Sequence, residues 1–176
     1  MTTQQKKQTP TETIRTWIKD FVTRPNPVFG DLPPCPFAQK AIVDGKVQFL
    51  ELDGIGEFGT IFTHIWDFDF DNKDVLVIIA DAKRWTPHYT RKLAEQLNRS
   101  YQSDNLLIME DHPRLVEKVK NVKLNQGKHT LLFVQHRVKL KKFEDILKRT
   151  RYYDNFSRGY HESVTGTWRH PVKSRS

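Results

Sequence analysis

The sequence predicts a single α/β domain built on a four-stranded mixed sheet with helices on both faces. Strand and helix patterns alternate along the chain from about residue 46 to 149, which is the signature of layered α/β architecture. The segments "DVLVIIA" (74–80), "NLLIME" (105–110) and "HTLLFVQ" (129–135) are continuous apolar runs of strand length, so they need cover on both sides. A chain of 176 residues is long enough to bury one independent core. The alternative architecture is a ferredoxin-like α+β sandwich, with its helices on one face only. The expected division is a disordered N-terminus at 1–8, the domain at 9–150, and a basic, aromatic C-terminal extension at 151–176.

The first helix is set by Thr9-Pro10-Thr11-Glu12, an N-cap, a proline at the first helical position and a capping-box glutamate. Ile14, Trp17, Ile18, Phe21 and Val22 then share one face, and Pro25 ends the helix. Residues 23–35 form a proline-punctuated loop that packs on the body. A short helix over 36–43 presents Phe37, Ala38, Ala41 and Ile42 inward and stops at Asp44-Gly45. Lys46–Leu52 reads as a strand. After the glycines at 54, 56 and 59, Phe58, Ile61, Phe62 and Ile65 space as a helix to about residue 68. Thr86-Pro87 starts a helix to Asn98, with Leu93, Ala94 and Leu97 inward. A short helix is expected from Pro113 with Val116 and Val119 inward, and a last one over 140–149 with Phe143, Ile146 and Leu147 on its face. From Arg151 the periodicity fades into an extended tail whose aromatics dock on the body.

Lysine and arginine total 29 against 21 acids, a formal charge of +8, which favours an anionic small molecule or nucleic acid as partner, with solvated surface charge as the plain alternative. The single cysteine excludes an intramolecular disulfide framework and points to a reducing cytosol. "MTTQQKKQTP" has no apolar signal region, and no apolar stretch approaches a membrane span, so no membrane partner is expected and the protein reads as cytoplasmic. No cofactor motif is present. Oligomeric state has no signature in the sequence.

That one thiol, Cys35, stands in "NPVFGDLPPCPFAQKA" (26–41) between prolines and at a predicted helix start. Unpaired amides and the positive helix end stabilise a thiolate, so Cys35 is a candidate catalytic nucleophile; the alternative is a small buried hydrophobe locking loop to core. The run "RTWIKDFV" (15–22), followed by Asn26, Pro27, Gly30, Pro33, Cys35, Pro36 and Phe37 and completed by "CPFA" at 35–38, resembles small bacterial proteins grouped as Cys-Pro-Phe-Ala domains of unknown function. The resemblance extends in order of elements over 14–150, including the strand that runs into His112-Pro113. It departs at 121–130, where "NVKLNQGKHT" replaces that group's Tyr-Thr-Asn-Arg-Ser-Pro type of stretch. The group carries no established activity, so the likeness implies an architecture and a focus on the first loop.

A nucleophile needs a proton partner, and His112 is the first candidate because it follows a strand end, with Asp111 to orient it. Either residue equally suits the cap of the helix expected at Pro113. Lys83, Arg84, His88 and Arg91 surround the start of the helix at Pro87, beyond the carboxyl end of a central strand, and form a candidate anion site. Arg151, Tyr152, Tyr153 and Arg158 lead an interleaved basic and aromatic tail, also containing Phe156, Tyr160 and Trp168, of the kind that stacks on single-stranded nucleic acid. "HIWDFDFD" offers His64, Asp67, Asp69 and Asp71 as oxygen and nitrogen donors, but a solvated acidic terminus has the same composition, and no metal site is assigned.

Overall fold

The computed structural model describes residues 8–53, 58–125 and 127–165. Of the sequence expectations, those for residues 1–7, for Gly54 and Gly56 and for Trp168 with the rest of 166–176 lie outside them. Six α-helices accompany the strands: α1 (Pro10–Trp17), α2 (Ala38–Val43), β1 (Val47–Glu51), α3 (Phe58–Trp66), β2 (Val75–Ala80), α4 (Pro87–Ser100), β3 (Leu106–Asp111), β4 (Lys118–Val119), β5 (Val122–Lys123), β6 (Thr130–His136), α5 (Arg137–Leu147) and α6 (Arg158–Thr165). The main sheet has the order β1-β2-β6-β3, with β1 and β2 parallel and β6 antiparallel to both neighbours.

The pleat divides the apolar strands between two cores. Leu76, Ile78, Leu132, Val134, Leu106 and Ile108 meet α3 and α4 through Ile61, Ile65, Leu93 and Leu97. On the opposite face, Val77, Ile79 and Leu131 meet α1 and α2 through Ile14, Ile18, Ala38 and Ile42. Helices on both faces exclude the ferredoxin-like alternative. Each fully buried large side chain is worth about 1.5–3 kcal/mol, so these two layers carry most of the apolar stabilisation.

Local signals explain the helix starts. Thr9 and Glu12 form a reciprocal capping box, and Thr86 Oγ1 accepts from the Tyr89 N–H. The first helix passes at Ile18–Val22 into a wider turn and ends at Thr23, ahead of Pro25. Among the described residues no helix is long and apolar enough to cross a membrane.

Three expectations need correction, the first being that Ile146, placed by its spacing on the inward face of the last helix, is exposed. No helix follows Pro113, because its amides are taken elsewhere: Arg114 N–H bonds the His112 side chain and Glu117 N–H bonds the Asn125 side chain. The segment forms the β4–β5 hairpin instead, turning through Lys120 at φ 51, so Val119 is buried while Val116 stays exposed. The C-terminal extension is not wholly extended, since α6 forms within it.

A third apolar cluster joins distant stretches of chain. Phe29 of the proline-rich loop, Val119 of the hairpin, Leu147 of α5 and Tyr152 of the tail are buried together, flanked by Phe37, Leu124, Tyr153, Phe156 and Tyr160. The Tyr152 hydroxyl donates to the Pro34 carbonyl, and Asn155 Nδ2 donates to the Val28 carbonyl at 2.7 Å. Gly30 makes the closest approach: its φ is +65°, and a Cβ there would stand 2.8 Å from the Arg151 backbone. Loop and tail thus clasp each other, and the tail aromatics dock on the loop and hairpin.

Candidate functional site

The site is built along the outer edge of β3. Among the described residues this strand pairs on one side only, with β6, and an open edge invites a foreign strand. Asn98 of α4 closes part of it: its carboxamide accepts from the Ile108 N–H at 3.0 Å and donates to the Ile108 carbonyl at 2.7 Å, as a neighbouring strand would. Downstream, Glu110 comes within 3.8 Å of Arg91 on α4, and Asp111 turns toward the hairpin.

Asn125, almost fully buried, organises that end of the strand. Its Nδ2 donates to Asp111 Oδ1 at 2.6 Å and to Glu117 Oε2 at 3.4 Å, while its Oδ1 accepts the Glu117 N–H at 2.7 Å. One carboxamide therefore holds two carboxyl groups. Burial raises the pKa of both: for Asp111 it outweighs the hydrogen bonds from Asn125 and the His112 amide, and for Glu117 it is reinforced by the charges of Asp111 and Glu110.

Beside this pair opens a cleft of about 510 Å³ between α4, β3 and α6, lined among others by Arg91, Glu95, Glu110, Glu117, Tyr160 and Glu162. Tyr160 lines it, and its phenol is held protonated by burial and by the nearby carboxyl groups of Glu117 and Asp111.

Cys35 is accessible as a residue, and the Tyr152 hydroxyl donates to the carbonyl of its neighbour Pro34. Desolvation raises the thiol pKa, outweighing the hydrogen bonds from the Phe37 and Ala38 amides. That reverses the thiolate expectation, and the local geometry says why. The helix begins at Ala38 and is only six residues long, so its dipole is weak, and Cys35 lies in the turn before it.

His112 is fully buried with both ring nitrogens engaged. Nδ1 accepts the Arg114 N–H at 3.0 Å, so Nε2 carries the proton and donates to the Trp85 carbonyl at 2.7 Å. The ring is a strut between β3 and the segment before α4, and it offers no lone pair to a nucleophile.

The basic group at α4 separates. Lys83, Arg84 and His88 are exposed around the helix start, where Lys83 N–H and the Arg84 side chain both face Asp81, whereas Arg91 pairs with Glu110. In the tail, Arg151 pairs with Asp154 and Arg158 with Glu162, Tyr152 is buried against Phe29, and Tyr153 packs edge-on to Phe156 and His161. These rings are used internally rather than as a stacking platform. Asp69 accepts from the Asn72 backbone and side chain and closes a turn, and among the described residues no three His, Cys, Asp or Glu side chains group to hold a metal.

Sequence reasoning named Asp111 as an orienter of His112, Arg91 as an anion ligand and Tyr160 as a tail aromatic, and did not single out Glu117 or Asn125. Comparison with known protein families, with curated proteins and with solved structures finds no match to this chain.

Proposed function

We propose that the cleft between α4, β3 and α6 is the working site, and that it binds a small cation bearing N–H groups, a primary amine or a guanidine, whose proton is handled by Glu117, with Asp111 behind it through Asn125. The observation that carries this reading is the Asn125 bridge, which keeps the cleft-lining Glu117 carboxyl beside a second desolvated carboxyl, that of Asp111 behind it. Against a chain charge of +8, the cleft sets Glu95, Glu110, Glu117 and Glu162 beside Arg91, a local reversal of sign that selects for positive charge. The exposed partners Lys92 and Arg158 hold Glu95 and Glu162 through surface pairs worth little, which a ligand displaces cheaply. A carboxyl with raised proton affinity gives or takes a proton closer to neutrality than an ordinary one, which suits acid–base chemistry on a bound amine.

The likeness to the Cys-Pro-Phe-Ala group brings no reaction with it, so the proposal rests on the geometry of the cleft.

Calorimetric titration of the full chain with putrescine and agmatine tests it. The expected result is saturable binding that weakens with salt, weakens as pH falls through the raised carboxyl range, and drops roughly tenfold in Glu117→Gln, the loss of one charge-assisted hydrogen bond. Absence of binding at millimolar ligand, or binding indifferent to Glu117→Gln and Glu110→Gln alike, overturns it.

A further inference from the structure

A second cavity, of about 230 Å³, opens at the opposite end of β3, where Leu106 pairs with His136. Its walls are mainly aromatic: Trp66 at the end of α3, Phe70, Tyr101 and His136. Trp66 is 70% exposed, an unusual place for the largest apolar side chain. The other rings are fixed. Tyr101 stacks on Phe62 and donates its hydroxyl to the Phe62 carbonyl at 2.8 Å, and Phe70 meets His136 edge-on at 6.1 Å.

Among the described residues one carboxylate, that of the exposed Asp104, lines the cavity, and no lysine or arginine does. Two cations bond backbone carbonyls of residues that line it. Arg137 Nε donates to the Leu106 carbonyl, and Lys139 Nζ donates to the Phe70 and Lys73 carbonyls and pairs with Asp74 at 2.7 Å.

We propose that this cavity binds a quaternary or fully methylated ammonium group, with the cation against Trp66, Phe70 and Tyr101 and its charge balanced by Asp104. Ring faces carry negative charge density that attracts a cation without accepting conventional hydrogen bonds. A primary ammonium needs acceptors for three N–H groups, which rings and a single carboxylate do not supply; a methylated nitrogen has none to satisfy. The volume is below the range of about 300–1,000 Å³ typical of drug-sized ligands, so it fits a head group rather than a nucleoside. The two cavities thus select different cations: glutamates for one that donates hydrogen bonds, aromatic rings for one that does not.

The test is an NMR titration of the full chain with tetramethylammonium and choline, set against 3,3-dimethylbutan-1-ol, the neutral isostere of choline, and against adenosine. The expected result is saturable shifts at the Trp66 indole and around Tyr101, with the neutral alcohol weaker by roughly tenfold, as the loss of a cation–π interaction implies. Trp66→Ala and Asp104→Asn should each weaken choline binding to a similar degree while leaving Tm unchanged, because both side chains are exposed. Equal binding of the alcohol, tighter binding of adenosine, no saturable shift, or shifts confined to the Glu117 cleft each overturn the proposal.

Discussion

The two layers of the sheet and the clasp between loop and tail are held by the same physics but written differently in the chain. Each sheet core comes from contiguous, periodic segments, such as β2 with Leu76, Ile78 and Ala80 on one face and Val77 and Ile79 on the other. The clasp takes single side chains from four stretches, and its hydrogen bonds join positions 118 and 127 residues apart. The first region specifies the fold. The second places Tyr160 and α6 across β3 and so walls the cleft.

Removing the clasp should therefore cost the most. A chain ending at Thr150 loses the buried Tyr152 and the partly buried Tyr153, Phe156 and Tyr160 from the third cluster, and at about 1.5–3 kcal/mol for a fully buried side chain its unfolding free energy in urea should drop by several kcal/mol. A truncated chain that melts like the full one would show that the sheet stands without it.

A single change on the sheet side should cost less. Asn98→Ala removes both hydrogen bonds to the Ile108 backbone in a buried place, an expected loss of about 2–4 kcal/mol, and reopens the β3 edge to pairing with another chain. Chemical denaturation reads the first effect and concentration-dependent light scattering the second. A stable, monodisperse Asn98→Ala would mean that the edge needs no cap.

The smallest effect expected is kinetic. Because desolvation raises the Cys35 pKa, iodoacetamide should label the native thiol slowly at neutral pH, with an apparent pKa above the free value of about 8.5. Truncation at Thr150 takes away Tyr152 and Tyr160 and should return the rate toward that of a free thiol. Fast labelling of the intact chain at neutral pH would restore the thiolate reading of the loop.

The same contrast explains what was legible in the sequence. In the long, strongly periodic helices, as with Ile61 and Ile65 of α3 or Leu93, Ala94 and Leu97 of α4, apolar spacing identified element and buried side together, while it misplaced Ile146 and Val116, which are exposed. The β4–β5 hairpin was not legible, because it depends on two side chains, of His112 and Asn125, that divert backbone amides away from a helix. Asn125 itself lies in "NVKLNQGKHT", a polar stretch with no motif, and its role exists only once β3 and the hairpin are side by side. Asp111 was visible as an acid at a strand end. Its partner was not, since a carboxyl pair made by a third residue has no spacing to read.

Those two carboxyl groups also fix the sign of the pH dependence. Groups whose folded pKa is raised stabilise the fold fully below their unfolded values, about 3.9 for Asp and 4.3 for Glu, and that contribution is lost as pH rises through the folded values. The decisive measurement is a carboxyl-carbon NMR titration of Asp111 and Glu117 in the full chain. The account predicts that both titrate above those ordinary values, and that Asn125→Ala, which removes a hydrogen bond favouring the ionised form, pushes them higher still. Midpoints at or below the ordinary values would contradict a desolvated pair, and with it the proton-handling role given to the cleft.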